Sequence, residues 1–175
     1  MIREFTKERV AVFIDAANIF YSQRTLGWRV DYTKLKAYFE RETELVAMYL
    51  YTGKVGADEK QEKFLTKITQ LGYTVRSKEV KRIKIGPETF EWKGNLDVEL
   101  VIDTLKTIHT YDTYVLMSGD SDFAPLLDEL KSQQKRVIVM SSKHHISREL
   151  VERAKYINLR KLKDEISYIK SPPQP

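Results

Sequence analysis

The chain of 175 residues has the usual length of one compact domain, and its 42% hydrophobic content is enough to build a core. It contains no cysteine, which excludes disulfides and thiolate zinc sites, and its formal net charge of +5 would suit a polyanionic partner without requiring one. The N-terminal residues are rich in charge and lack the long apolar segment of a secretory signal or membrane span, so a cytoplasmic protein without membrane contact is predicted.

Short apolar segments predict the strands of a buried sheet. The first, residues 10–14 (VAVFI), is apolar at every position and mostly β-branched or aromatic, as expected of a strand that is covered on both faces. Further strands are predicted at 45–51, 73–76, 113–117 and 136–140, with a short edge strand at 156–158.

Helices are predicted between these strands. Asp31 and Asp58 stand before apolar residues at helical spacing and suit the N-cap position of two helices. Three more helices are predicted at 96–108, 122–133 and 146–154. Because strands alternate with helices, we expect an α/β fold with a mainly parallel sheet of about five strands between two helical layers. One domain is expected over residues 1–165, followed by a disordered tail over 166–175.

Residues 77–92 (SKEVKRIKIGPETFEW) depart from this alternation. Charged and apolar residues alternate around Gly86 and Pro87, which predicts a partly exposed β-hairpin inserted into the fold. Its cations and aromatic rings would suit a single-stranded nucleic acid, although an exposed hairpin without a ligand gives the same pattern. The residues concerned are Lys78, Lys81, Arg82, Lys84, Phe90 and Trp92.

Acidic residues gather where strands are predicted to end. Asp15 ends the first strand, Asp120 and Asp122 follow the fourth, and Asp97 begins the helix between Gly94 and the fourth strand. Ligands of parallel sheets bind outside the carboxyl ends of the strands, so these acids would meet if the first and fourth strands are neighbours. Each alone is also explained as a helix cap. Together they repel one another, and a divalent cation would relieve that repulsion. Oxygen ligands without cysteine or histidine favour Mg²⁺ or Mn²⁺ over zinc.

Three segments carry a resemblance to a known family. Residues 13–20 (FIDAANIF), 92–105 (WKGNLDVELVIDTL) and 116–127 (LMSGDSDFAPLL), in this order, resemble the NYN domain, a branch of the PIN-like nuclease superfamily that includes LabA-like proteins. The resemblance implies a PIN-like fold, a Mg²⁺ or Mn²⁺ site and RNA, single-stranded or structured, as substrate. By matching position it places four acids at the metal site, with Asn18 beside them. These acids are Asp15, Asp97, Asp120 and Asp122.

Roles for the acids follow from their predicted positions. Asp15 and Asp120 are expected to bind the metal directly because strand ends hold them rigidly, and Asp97 and Asp122 are expected to complete the site through the metal or its waters. Asp103 also matches an acid of the family. It lies six residues beyond Asp97, about 240° around a helix, so we expect it to support the site from behind.

Four further residues are candidates for substrate contact. Asn18 is placed to orient water or a phosphate, or else it serves a turn. Ser118 and Ser121 flank Gly119, where backbone amides favour an anion, although Ser121 also suits an N-cap. The resemblance makes Lys93 a candidate phosphate contact, and a solvated lysine is the alternative.

The remaining aromatic residues and histidines are given structural roles. Phe13, Phe20, Tyr21, Tyr49 and Tyr51 are expected mostly in the core, with Tyr51 the exception because it closes a strand on the functional edge. The adjacent His144 and His145 are expected in a surface loop rather than at a metal.

The function predicted from these features is hydrolysis of RNA phosphodiester bonds at a Mg²⁺ or Mn²⁺ site. The alternative is a catalytically weak or inactive NYN-domain module that binds RNA or protein. An aspartyl phosphatase is disfavoured because Ala17 stands where a second acid is needed two residues after Asp15. Whether two copies form a homodimer stays open.

Overall fold

The computed structural model describes residues 1–84, 86 and 89–168, apart from the side chains of residues 82–84 and 90–93. The strands are β1 (Arg9–Asp15), β2 (Glu44–Lys54), β3 (Thr74–Glu79), β4 (Lys81–Lys84), β5 (Phe90–Lys93), β6 (Thr113–Met117), β7 (Arg136–Ser141) and β8 (Lys155–Asn158). The α-helices are α1 (Ala16–Leu26), α2 (Tyr32–Glu42), α3 (Glu59–Gln70), α4 (Asp97–Lys106), α5 (Ala124–Ser132), α6 (Arg148–Arg153) and α7 (Lys163–Ile166). Short 3₁₀ turns occupy Ile2–Glu4, Ile108–Thr110, Ser121–Phe123 and Leu159–Leu162.

Six strands form one sheet in the order β3-β2-β1-β6-β7-β8, and every pair in it is parallel. The predicted α/β fold is confirmed, and the predicted count of about five strands becomes six because β8 pairs with β7. The chain moves outward from β1 to β3 and then returns to the other side of β1 at β6. This reversal of strand order between β1 and β6 places the ends of both strands at one crevice.

Helices cover both faces of the sheet, which explains why its central strands are apolar throughout. One core lies under α1, α2, α3 and α7 and includes Val12 and Ile14 of β1. The other lies under α4, α5 and α6 and includes Phe13, which stacks on Tyr49 of β2 with ring centroids 4.6 Å apart. Alternate residues of β1 therefore enter different cores, as expected of a strand without a solvent face.

Aspartates cap three of the helices. Asp15, Asp31 and Asp58 each accept a hydrogen bond from a backbone N–H in the first turn of α1, α2 and α3. The predicted caps at Asp31 and Asp58 are confirmed. These bonds satisfy amides that lack a partner inside the helix. At Asp15 the cap also fixes the carboxylate at the end of β1.

Strands β4 and β5 pair with each other in an antiparallel arrangement, separately from the six-stranded sheet. Residues 85, 87 and 88 of the connection lie outside the described residues, as do the side chains of Arg82, Lys84, Phe90, Trp92 and Lys93. The basic, RNA-facing surface predicted for this segment therefore stays a prediction.

The packed part of the chain extends further than residue 165. Ile166 ends α7 and is fully buried, Ser167 forms a β-bridge with Val30, and the N–H of Tyr168 donates to the carbonyl of Arg29. Residues 166–168 of the predicted tail are therefore packed against the domain, and residues 169–175 lie outside the described residues. No helix in the described ranges combines the length and the apolar character needed to cross a bilayer.

Candidate metal centre

Three carboxylates meet at the carboxyl-terminal edge of the sheet. One oxygen from each of Asp97, Asp120 and Asp122 lies within 4.8 Å of the others. Asp97 is the first residue of α4, whereas Asp120 and Asp122 belong to the connection between β6 and α5. Asp97 and Asp120 are partly buried and Asp122 is exposed, so the group opens to solvent on one side. We call these three residues the Asp triad.

Asp15 lies beside the Asp triad, although it belongs to no such group of ligand atoms within the part of the chain that the structure describes. Both of its carboxylate oxygens are engaged: Oδ1 accepts from the N–H of Asn18 at 3.1 Å, and Oδ2 accepts from the hydroxyl of Ser118 at 3.0 Å. Burial raises the pKa of Asp15, and the negative charge of Asp120 raises it further. Asp15 is therefore close enough for its charge to act on the triad.

A hydrogen-bond network joins the β1–α1 junction to the segment after β6. The hydroxyl of Ser118 accepts from the N–H of Asp120 at 3.3 Å, and the side-chain oxygen of Asn18 accepts from the N–H of Gly119 at 3.0 Å. Asp120 in turn accepts from the N–H of Asp122 at 3.0 Å. The two carboxylates of this segment are thus positioned by bonds that begin at the β1–α1 junction.

The environment of Asp97 is unfavourable to a bare negative charge. Burial, together with the charges of Asp15 and Asp120, raises the pKa of Asp97 to about 6, although the amide of Asn95 donates to it at 2.7 Å. A bound cation would remove this penalty by favouring the ionised form of every member. All donors are carboxylate oxygens, which fit a hard divalent cation. The Asp triad is therefore suited to hold a metal ion.

Asp103, unlike the members of the Asp triad, makes its contacts with side chains of β2 and β3. Its carboxylate accepts from the hydroxyl of Tyr51 at 3.2 Å and from Nε of Arg76 at 2.8 Å. These bonds join α4 to β2 and β3. A neighbouring ion pair, Lys78 with Glu99 at 2.9 Å, makes a second connection between β3 and α4.

The other predicted contact residues differ in exposure where the structure describes their side chains. Ser118 is fully buried, Ser121 is exposed beside the Asp triad, and Lys81 is exposed on β4. The side chains of Arg82, Lys84 and Lys93 lie outside the described residues. The substrate contacts proposed from the sequence stay predictions for this set.

The placement of three aromatic residues differs from the expectation. Phe20 and Tyr21 are 56% and 55% exposed on α1, whereas Tyr51 is buried with 3% exposure. The buried stripe of α1 consists of Ile19, Ser22 and Leu26, and neither Phe20 nor Tyr21 lies on it. The helical spacing of these three buried residues is present in the sequence, but the polar Ser22 interrupts the apolar pattern that would indicate a buried face.

Comparison with known proteins supports the assignment that these features suggest. The model of the NYN domain matches residues 9–160, which include all four acids at the sheet edge. The chain belongs to the NYN family. Low amplitude and bright protein LabA from Synechococcus elongatus is similar to this NYN domain, with 37% identity over 174 residues that cover 96% of the chain and 92% of the relative. A crystal structure of a protein of unknown function from Vibrio parahaemolyticus shares the fold, with a TM-score of 0.74 and 23% identity, over 93% of this chain and 98% of that one.

The buried hydroxyl of Ser118 provides a test of the network in this NYN domain. Ser118→Ala is expected to lower the free energy of unfolding by about 1–3 kcal/mol, because Asp15 loses a donor and the N–H of Asp120 loses an acceptor. Ser121→Ala is the matched control and should change stability by less than about 0.5 kcal/mol, since its side chain is exposed. Urea unfolding at neutral pH measures both. Equal effects of the two substitutions would contradict the positioning role of Ser118.

Proposed function

We propose that this NYN domain is a metal-dependent ribonuclease that uses Mg²⁺ or Mn²⁺ to hydrolyse RNA phosphodiester bonds. The observation that carries the proposal is the Asp triad, whose ligand oxygens lie within 4.8 Å of one another at the point where the strand order reverses. Membership of the NYN family, related to PIN-like nucleases, supports the same chemistry.

Each residue at the edge has a defined part in the proposal. Asp97, Asp120 and Asp122 supply the carboxylate oxygens that would hold the ion. When bound, the ion activates water and offsets the charge that develops on the phosphate. Asp15 and Asn18 hold the segment after β6 in place through Ser118 and Gly119. Asp122 is exposed, so the Asp triad is open to solvent on the side from which a chain of nucleotides would approach.

The deciding experiment is cleavage of labelled single-stranded RNA with Mn²⁺ or Mg²⁺. The wild-type protein should cleave the RNA, EDTA should stop the reaction, and Asp120→Asn should lose at least about a hundredfold in rate because a charged ligand is replaced by a neutral amide. Asp164→Asn is the matched control, since Asp164 is an exposed acid on α7. It should cleave at the wild-type rate.

Two outcomes would count against a nuclease. Equal cleavage by wild type and Asp120→Asn would show that the activity comes from a contaminant. Tight RNA binding in EDTA without cleavage in any divalent ion would favour the alternative, an NYN module that binds RNA without cutting it.

A further inference from the structure

Helix α1 lies along the same sheet edge as the Asp triad. Near its start, Asn18 is bonded to Gly119 of the segment after β6, and near its end, Thr25 Oγ1 lies 2.8 Å from Nε2 of His145 in the connection after β7. The same histidine nitrogen is 3.2 Å from the carbonyl of Tyr21. These contacts hold α1 against two connections that leave the carboxyl ends of neighbouring strands. Helix α1 is therefore anchored beside the segment that carries Asp120 and Asp122.

The exposed side of α1 carries two aromatic rings and a cation. The rings of Phe20 and Tyr21 contact each other edge to face, with centroids 5.7 Å apart, and both are more than half exposed. The guanidinium of Arg24 lies 5.4 Å from the centroid of Phe20 and 5.3 Å from that of Tyr21. Among the described residues, Arg24 forms no ion pair with a carboxylate. We call Phe20, Tyr21 and Arg24 the α1 aromatic patch.

We propose that the α1 aromatic patch stacks an unpaired base of single-stranded RNA and guides the strand to the Asp triad. The proposal rests on the ribonuclease function, because it assigns the surface that holds the substrate. Aromatic rings beside a cation form the usual platform for single-stranded nucleic acid, in which the base stacks on a ring and the cation attracts the phosphate chain. Lys143 and His144 are exposed and adjoin His145, which contacts α1, so they add basic groups near this helix.

The chemistry of the patch favours a base over a protein partner. Two exposed rings on one helix give an area suited to one or two bases, whereas a stable protein interface buries about 800 Å² per partner. The exposed apolar residues of α4, which are Val98, Ile102 and Leu105, are aliphatic and offer no ring faces. A net charge of +5 also favours a polyanion.

Binding in EDTA tests the patch separately from cleavage. The probe is a fluorescein-labelled, uridine-rich single-stranded RNA, measured by fluorescence anisotropy, and the variant is Phe20→Leu combined with Tyr21→Leu. This double variant keeps apolar side chains but removes the ring faces, and its affinity should fall by about tenfold or more. Tyr168→Leu is the matched control because Tyr168 is equally exposed outside the patch. It should bind like the wild type.

A second variant and a spectroscopic signal make the result independent of folding. Arg24→Gln keeps both rings and should weaken binding by about threefold. An RNA that contains 2-aminopurine should lose fluorescence on binding to the wild type, as a stacked base does, and should lose much less on binding to the double variant. Unchanged affinity in both variants, or equal competition by duplex RNA, would overturn the proposal.

The failure of this proposal is distinguishable from the failure of the ribonuclease function. RNA binding that depends on Phe20 and Tyr21, without cleavage by the wild type, would keep the patch and remove the nuclease. Metal-dependent cleavage with unchanged binding in the double variant would keep the nuclease and remove the patch. If the double substitution altered self-association in sedimentation without affecting RNA affinity, the surface would be a protein contact and the proposal would fall.

Discussion

Gly119→Ala is expected to destabilise the protein by about 3 kcal/mol or more and to displace the segment that carries Asp120 and Asp122. A Cβ atom on Gly119 would overlap the carbonyl oxygen of His145, and it would lie 2.5 Å from the carbonyl carbon of His145 and 2.9 Å from Cα of Ile146. All these neighbours are main-chain atoms, so no flexible side chain can move aside. The bond from the N–H of Ser147 to the carbonyl of Gly119, at 2.9 Å, holds the two segments at this spacing.

Gly27→Ala separates this packing effect from the general cost of replacing a glycine. Gly27 caps the end of α1 with a φ of 75°. A Cβ atom added to Gly27 would have no neighbouring atom within 4 Å. Its replacement should cost about 1 kcal/mol, through backbone strain alone. Urea unfolding of both variants measures the difference. If Gly119→Ala costs no more than Gly27→Ala, the close approach between the two connections is not a constraint on the site.

The sheet could be predicted from the sequence because its strands are apolar on both faces and its helices begin at aspartate caps. The first helix was not among the predicted elements, because its buried stripe contains Ser22 and the adjacent Phe20 and Tyr21 obscure the apolar period. The short strand β8 was predicted as an edge, and only its pairing with β7 raises the strand count to six. The local sequence pattern therefore predicts most strands and helices of the three layers, whereas the exposure of individual aromatic rings depends on how α1 packs.

The location of the candidate site was predictable because parallel strands bring their carboxyl ends to one edge of the sheet. The gathering of Asp97, Asp120 and Asp122 was predicted as well, but which carboxylate oxygens lie closest together was not. The sequence favoured Asp15 and Asp120 as the rigid pair, whereas the ligand oxygens that lie together belong to Asp97, Asp120 and Asp122. Asp15 accepts hydrogen bonds from the N–H of Asn18 and the hydroxyl of Ser118, and no spacing in the sequence reveals those partners. Its role as a direct metal ligand stays a prediction.

Asp97→Asn is expected to stabilise the protein in EDTA at pH 8 by about 1–2 kcal/mol, with little difference near pH 4. In the folded protein, the pKa of Asp97 is raised to about 6 by burial and by the charges of Asp15 and Asp120. The unfolded chain binds this proton less tightly, so the folded state is favoured while Asp97 is protonated. That contribution is present at low pH and is lost as the pH rises through about 6. Asparagine cannot ionise and avoids the loss.

Divalent cations should reverse the order of stability between the two proteins. At a concentration of Mn²⁺ one hundred times its dissociation constant, binding to the folded state adds about 2.7 kcal/mol to the wild type, and Asp97→Asn should gain much less because one charged ligand is missing. Urea unfolding from about pH 4.5 to pH 8, with EDTA or Mn²⁺, measures both parts. Asp164→Asn, which alters an exposed acid outside the Asp triad, should follow the wild type in each condition. If Asp97→Asn were as stable as the wild type in EDTA at pH 8 and gained as much from Mn²⁺, the mutual repulsion of these carboxylates would have no part in metal binding.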